Sequence, residues 1–199
     1  LFALILAALL PALFSGAADD TFPLKTRRPK APPAWVGVDP EKIIGTRECS
    51  QCHRSETLAW MEMSHYESHL LLLTPGAKEY ARAVGIDPNE VRQADACTRC
   101  HATTQTDARG QTRAVAGVSC ESCHGESGGE DGWLNTHAVY GPNETTIEQE
   151  SSEHRAWRLQ RTRKAGMIQS NQIYETAQRC LNCHLVRNEA LVNAGHSIG

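Results

Sequence analysis

Apolar and polar positions along this chain fall into blocks that predict short helices separated by long polar connections. Leu1 to Phe14 is apolar apart from Pro11, Ser15 to Ala18 are small, and Asp19 and Asp20 follow. This order predicts the apolar region and cleavage zone of an export signal over residues 1–18. The run is shorter than the roughly 20 residues of a membrane span. It lacks an initiator Met and a basic start, so the signal is expected to be truncated. Residues 19–45 are Pro-rich and partly basic and predict an extended arm.

Leu58, Met61, His65 and His69 recur at helical spacing, which predicts a helix over 55–73 broken by Pro75-Gly76. A short helix is expected over 77–84, and Asp87-Pro88 predicts an N-cap with Pro at the first helical position. Residues 126–135 read as a Gly-rich loop. A long helix is expected over 145–164. Its acids (Glu148, Glu150, Glu153) come first and its bases (Arg158, Arg161, Arg163, Lys164) last, as the helix dipole prefers, and Gly166 is its expected cap. A further helix is expected over 171–186, and residues 112–119, TRAVAGVS, are the best strand signal. The pattern predicts a mainly α fold with much irregular loop and little or no sheet.

The chain has 199 residues, which suits one domain with a short appendage. Its formal net charge is -3, which argues against nucleic acid as a partner. Aromatic residues are only 6 %, few for a core of this size, so another group is expected to help fill it.

The eight cysteines form four copies of one unit: ECSQCH (Cys49, Cys52, His53), ACTRCH (Cys97, Cys100, His101), SCESCH (Cys120, Cys123, His124) and RCLNCH (Cys180, Cys183, His184). Two thiols one helical turn apart, followed at once by an imidazole, are what covalent attachment of a c-type haem needs. A lone CxxC also serves zinc and redox sites. Histidine is about one residue in twenty, so four chance placements after CxxC have a probability of roughly a few in a million. Four covalently bound haem c groups are therefore expected, with His53, His101, His124 and His184 as proximal iron ligands. Four flat apolar groups would supply the core that the aromatics do not. Their propionates would add about eight negative charges.

Five histidines remain. His65 lies on a predicted helix with Trp60, His137 follows the third motif across the Gly-rich loop, and His196 stands twelve residues after His184. These three are candidate distal iron ligands, and His154 is a fourth. His69 reads better as a solvated or propionate-bonding residue. Met61, Met63 and Met167 read as core filler. Arg158, Arg161, Arg163 and Lys164 read as a solvated helix end.

CSQCHRSETLAWMEMSHYES, GVSCESCHG at 117–125, and the order and spacing of all four motifs resemble the tetrahaem cytochromes c of nitrification, which accept electrons from hydroxylamine oxidoreductase, and their wider multihaem family. The resemblance covers about residues 46–186. It implies a chain wrapped around closely packed haem pairs, with His65 and His137 as distal ligands. It makes the haem of Cys97, Cys100 and His101 the candidate for an iron with no distal ligand. The family's distal histidine before the fourth motif is missing here, where the sequence reads QIYETAQRC. The AGH near the end is similar to larger multihaem proteins, so the domain at 46–199 is expected to be truncated at its C-terminus.

The expected function is an exported, periplasmic electron carrier between donor and acceptor redox proteins, among them a membrane-associated quinone-linked or terminal reductase complex. A multihaem oxidoreductase acting on a small nitrogen or sulfur compound is the alternative, with His69, His154 and Tyr174 as acid–base candidates. A haem-wire or complex subunit is a third.

Overall fold

In the computed structural model the described residues are 38–144 and 146–197. The expected signal and the arm up to residue 37 lie outside them. A 3₁₀ turn at Pro40–Lys42, capped by Asp39, leads into α1 (Thr46–Cys49), and α2 (Arg54–Met61), α3 (Ser64–Glu67) and a 3₁₀ stretch at Ser68–Leu73 follow. Then come α4 (Pro75–Ala83), α5 (Asp95–His101) and an antiparallel hairpin of β1 (Thr103–Thr106) and β2 (Thr112–Ala116). The chain closes with α6 (Cys120–His124), α7 (Leu134–His137), α8 (Ser152–Lys164), α9 (Ile173–His184) and α10 (Glu189–Asn193). Among the described residues no helix is long and apolar enough to cross a membrane.

Several expectations need correction. The helix expected over 55–73 is three pieces. The chain bends at Met63, whose backbone is extended, because residues on either side of the bend are held by one tertiary neighbour. Trp60 Nε1 donates to the Val118 carbonyl at 2.8 Å, while Gly117 packs on the carbonyls of His65 and Tyr66. Pro75 opens α4 rather than breaking a helix, with the Thr74 hydroxyl capping Ala77 N–H at 3.3 Å. Asp87-Pro88 forms turns, not a helix start. The helix expected from 145 begins at Ser152, where the Ser151 side chain caps His154 N–H. It ends as expected before Gly166, whose φ is 102°. The last residues of the expected arm are folded in: Ile43 is buried, and the next two residues are bonded to α6.

The interior is unusually polar. The buried apolar residues among those described are Ile43, Leu72, Ala81, Val91, Ala102 and Trp133. Thr98, Thr103, Ser119, Glu121, Ser127, Arg158 and Thr162 are buried beside them. Among the described residues, Leu72, Ala81 and Val91 form the one buried apolar cluster, with Ala77, Ile86 and Cys97 against it. Meanwhile Leu58, Leu71, Leu73 and Leu181 are each more than half exposed. Hydrophobic burial drives folding, so a chain with this distribution needs a further apolar partner.

Polar bonds organise what the small core does not. The carboxylate of Glu121 accepts from the N–H groups of Ile44 (3.1 Å), Gly45 (2.8 Å) and Ser127 (3.3 Å), and from the Ser127 hydroxyl. The Thr103 hydroxyl lies 2.8 Å from the Gly117 carbonyl and 2.9 Å from the hydroxyls of both Ser119 and Ser122, the capping pair of α6. In α8, Arg158 forms a two-pronged pair with Glu150, both contacts 2.7 Å, and donates to the His137 carbonyl at 2.6 Å, which fastens α7.

Two predictions follow from these contacts. A Cβ on Gly117 would lie 2.1 Å from the His65 carbonyl and 2.5 Å from that of Tyr66. Gly117→Ala should therefore displace α3 and cost about 1–3 kcal/mol, read as a lowered Tm. The second concerns acid. The Arg158 hydrogen bond holds the Glu150 carboxyl at about 2, below its ordinary 4.5. A carboxylate so depressed stabilises the fold above pH 4.5, and that contribution disappears as pH falls towards 2. Hydrogen-exchange protection of α7 and α8 should fall across this window, and Glu150→Gln should flatten the dependence.

Candidate haem-binding site

The four CxxCH units lie at or just beyond helix ends. In the first, α1 ends on Cys49, and His53 N–H bonds back to the Cys49 carbonyl at 2.9 Å. α5 ends on His101, α6 is the third unit itself, and α9 ends on His184. A helical turn brings each pair of cysteines to one side and lets the next imidazole project from the end.

The eight thiols form no disulfide. They meet across units instead. The Cys49 thiol hydrogen-bonds to Cys120, which lowers the Cys120 thiol to about 6, with help from Thr46, and raises Cys49. A hydrogen bond from Cys183 likewise lowers Cys100, and Cys183 is raised. The first and third units are thus neighbours, as are the second and fourth. Among the described residues no group of three or more His, Cys, Asp and Glu gathers as ligands for a bare metal ion.

The histidines pair across the fold. His53 faces His137 with ring centroids 6.0 Å apart, His65 faces His184 at 5.9 Å, and His101 faces His196 at 6.0 Å. A metal–imidazole bond is about 2 Å, so two rings on one metal have centroids about 6 Å apart. Each pair joins one CxxCH histidine to one from elsewhere, and each separation has room for one iron. Burial, and then the neighbouring ring, lowers the pKa of His101 and of His137, favouring the neutral form that binds metal.

Supporting contacts hold these rings. Trp133 packs edge-on against His137 at 5.3 Å and donates to the Gly125 carbonyl at 3.1 Å. The Tyr80 ring lies 5.1 Å from His196, and its hydroxyl donates to the Gly195 carbonyl at 3.2 Å. The Ser68 hydroxyl lies between the carbonyls of His65 (2.8 Å) and His101 (3.0 Å) and accepts from Val118 N–H. His124 differs: its Nδ1 meets the Ile168 carbonyl at 2.8 Å, and no ring pair among the described residues includes it.

His65, His137 and His196 are therefore each brought against a CxxCH histidine. His154 is not. Its Nδ1 lies 2.8 Å from Glu150 Oε1, and its ring lies against Trp157. The second unit, expected to lack a facing histidine, has His196 opposite His101. Tyr174 is 73 % exposed on α9, which places it at the surface rather than in an acid–base site. Sequence reasoning missed Glu121, which sits between the cysteines of the third unit and holds the approach to the first. It also missed Tyr80 and Ser68. The pairing of His196 with His101 had no local signal.

The residues fit haem c. Cysteine pairs and imidazoles stand in the required order, imidazole pairs have the spacing of one iron, and the Nδ1 atoms of His69 and His137 are buried without a partner. Large apolar side chains also stand exposed, as surface a haem face would cover. Searches of curated proteins and of solved structures return no match. Residues 48–125 match the family described as cytochrome c554 and c-prime. The matched segment begins one residue before Cys49 and ends one after His124, spanning three of the four units and less than half the chain. This match supports a multihaem c-type cytochrome, an electron-transfer protein carrying covalently bound haem c.

Proposed function

We propose that the chain is an exported tetrahaem c-type cytochrome that carries electrons between donor and acceptor redox proteins in the periplasm. The three imidazole pairs carry this reading: each places a second histidine opposite a CxxCH histidine at the spacing of one iron. Two imidazoles on one iron favour electron transfer over ligand activation.

Haem c supplies a one-electron couple at its iron when bound. The polypeptide fixes where each couple sits. Cys49 and Cys52, Cys97 and Cys100, Cys120 and Cys123, and Cys180 and Cys183 are the thioether anchors. His53 with His137, His101 with His196, and His184 with His65 would hold the irons. The thiol contacts of Cys49 with Cys120 and of Cys100 with Cys183 support two close haem pairs, the first with the third and the second with the fourth. The Ile168 carbonyl holds the Nδ1 proton of His124, orienting its Nε2 for iron and raising its basicity. The Arg158 bond to the His137 carbonyl and the Trp133 contact keep that ring from turning.

The partners are redox proteins on each side, a membrane-associated quinone-linked or terminal reductase complex among them. A coulometric titration of the full-length holoprotein tests the carrier reading. Four electrons per chain are expected, without steady-state consumption of nitrite or hydroxylamine when a redox partner is supplied. Sustained turnover of either compound would contradict it.

A further inference from the structure

We infer that the guanidinium of Arg179 raises the reduction potentials of the haems on the third and fourth units, and so tunes the junction between the two haem pairs. The inference rests on the tetrahaem reading above and adds to it a residue outside the CxxCH units.

Arg179 stands immediately before Cys180 near the end of α9, and α9 packs on α6, which is the third unit itself. Its side chain is half-buried. A Cβ built on Gly125, the residue after His124, would stand 3.9 Å from Arg179 Nη2. The guanidinium therefore lies against the backbone of the third unit while its own helix carries the fourth. It is close enough to act electrostatically on the sulfurs of both Cys123 and Cys183. It also lines a cavity together with Ser122, Asn182 and Cys183. The thiol contacts join the first unit to the third and the second to the fourth. Arg179 joins the third to the fourth, which is where the two pairs meet.

An arginine guanidinium is a permanent cation. Reduction of a ferric haem adds one electron, delivered by the donor redox protein. A fixed positive charge at the haem edge stabilises the added negative charge, and so raises the potential. A half-buried charge is screened less by salt than an exposed one. The thioether sulfurs mark the porphyrin edge opposite the propionates, so a cation among the sulfurs is not cancelled by the propionates of the same haems. Arg99 lines the same cavity, but Asp95 pairs with it across one helical turn. The buried acid of the third unit, Glu121, faces the other way, towards the N–H groups of Ile44 and Gly45 ahead of the first unit. The third unit thus has a carboxylate on the side of the first unit and a guanidinium on the side of the fourth.

The test uses full-length holoprotein. Haem is counted by pyridine haemochrome, and the midpoint potentials are then read by spectropotentiometric titration. Arg179→Gln should keep four haems and lower two of the four potentials, leaving the other two in place. Arg179→Lys, which keeps the charge, should hold all four near the parent values. Asn182→Asp sets an acid of nearly the same shape in the same cavity and should lower the same two potentials with Arg179 intact, which keeps the test open if Arg179→Gln loads haem poorly. Arg109→Gln, at the exposed tip of the β1–β2 hairpin, should change none. Unchanged potentials in Arg179→Gln and Asn182→Asp overturn the inference. So does an equal fall of all four, and so does a fall in Arg179→Lys as large as in Arg179→Gln, which would make packing rather than charge the cause. Fewer than four haems in the parent protein overturn the tetrahaem reading itself, and this inference with it.

Discussion

The buried carboxylate of Glu121 accepts hydrogen bonds from the backbone of Ile44, Gly45 and Ser127, and much of the arrangement depends on it. Glu121 stands between two cysteines of the third CxxCH unit, and Gly45 immediately precedes the helix that ends on Cys49. One side chain thus sets the first unit against the third. A buried carboxylate is costly unless its oxygens are satisfied, and here four donors satisfy it. Thr103 has the same role for the second unit, since it follows His101 closely and bonds to both capping serines of α6. Local covalent order supplies each CxxCH unit, and buried polar bonds supply their mutual placement.

The core shows why polar bonds carry this load. A protein of this length ordinarily organises itself by burying apolar side chains. Here buried polar residues are as prominent as buried apolar ones, and several leucines lie outside. A polypeptide built around large apolar cofactors has this distribution, because much of its apolar contact is made to the cofactor. The backbone then has to be positioned by directional bonds that hold the ligand-bearing helices at fixed separations. Three imidazole pairs with nearly equal spacing are the result.

The sequence made the chemistry legible but not the pairing. Cysteine spacing is local, so Cys-x-x-Cys-His could be read directly, and so could α4, the end of α8 at Gly166 and α9. Tertiary contacts were not readable. The bend at Met63 comes from Val118 and Gly117, more than fifty residues away, and overrides a regular helical period. β1 reads TTQT and has no apolar alternation; it pairs because β2 lies opposite. Nothing local marked Glu121, a charged residue between two cysteines, as buried. His196 was seen as an iron ligand from its distance behind His184, yet its ring faces His101. Sequence distance did not report which two rings share an axis.

The central claim is that this polypeptide is a wrapper for four thioether-linked haems. The mass of the intact chain, measured after denaturation and acid extraction, tests it most directly. Covalent haem survives such treatment, so the account predicts the mature polypeptide plus four haem groups, with no free haem extracted. A mass equal to the polypeptide alone, or lighter than it only by the hydrogens lost to disulfides, would contradict it.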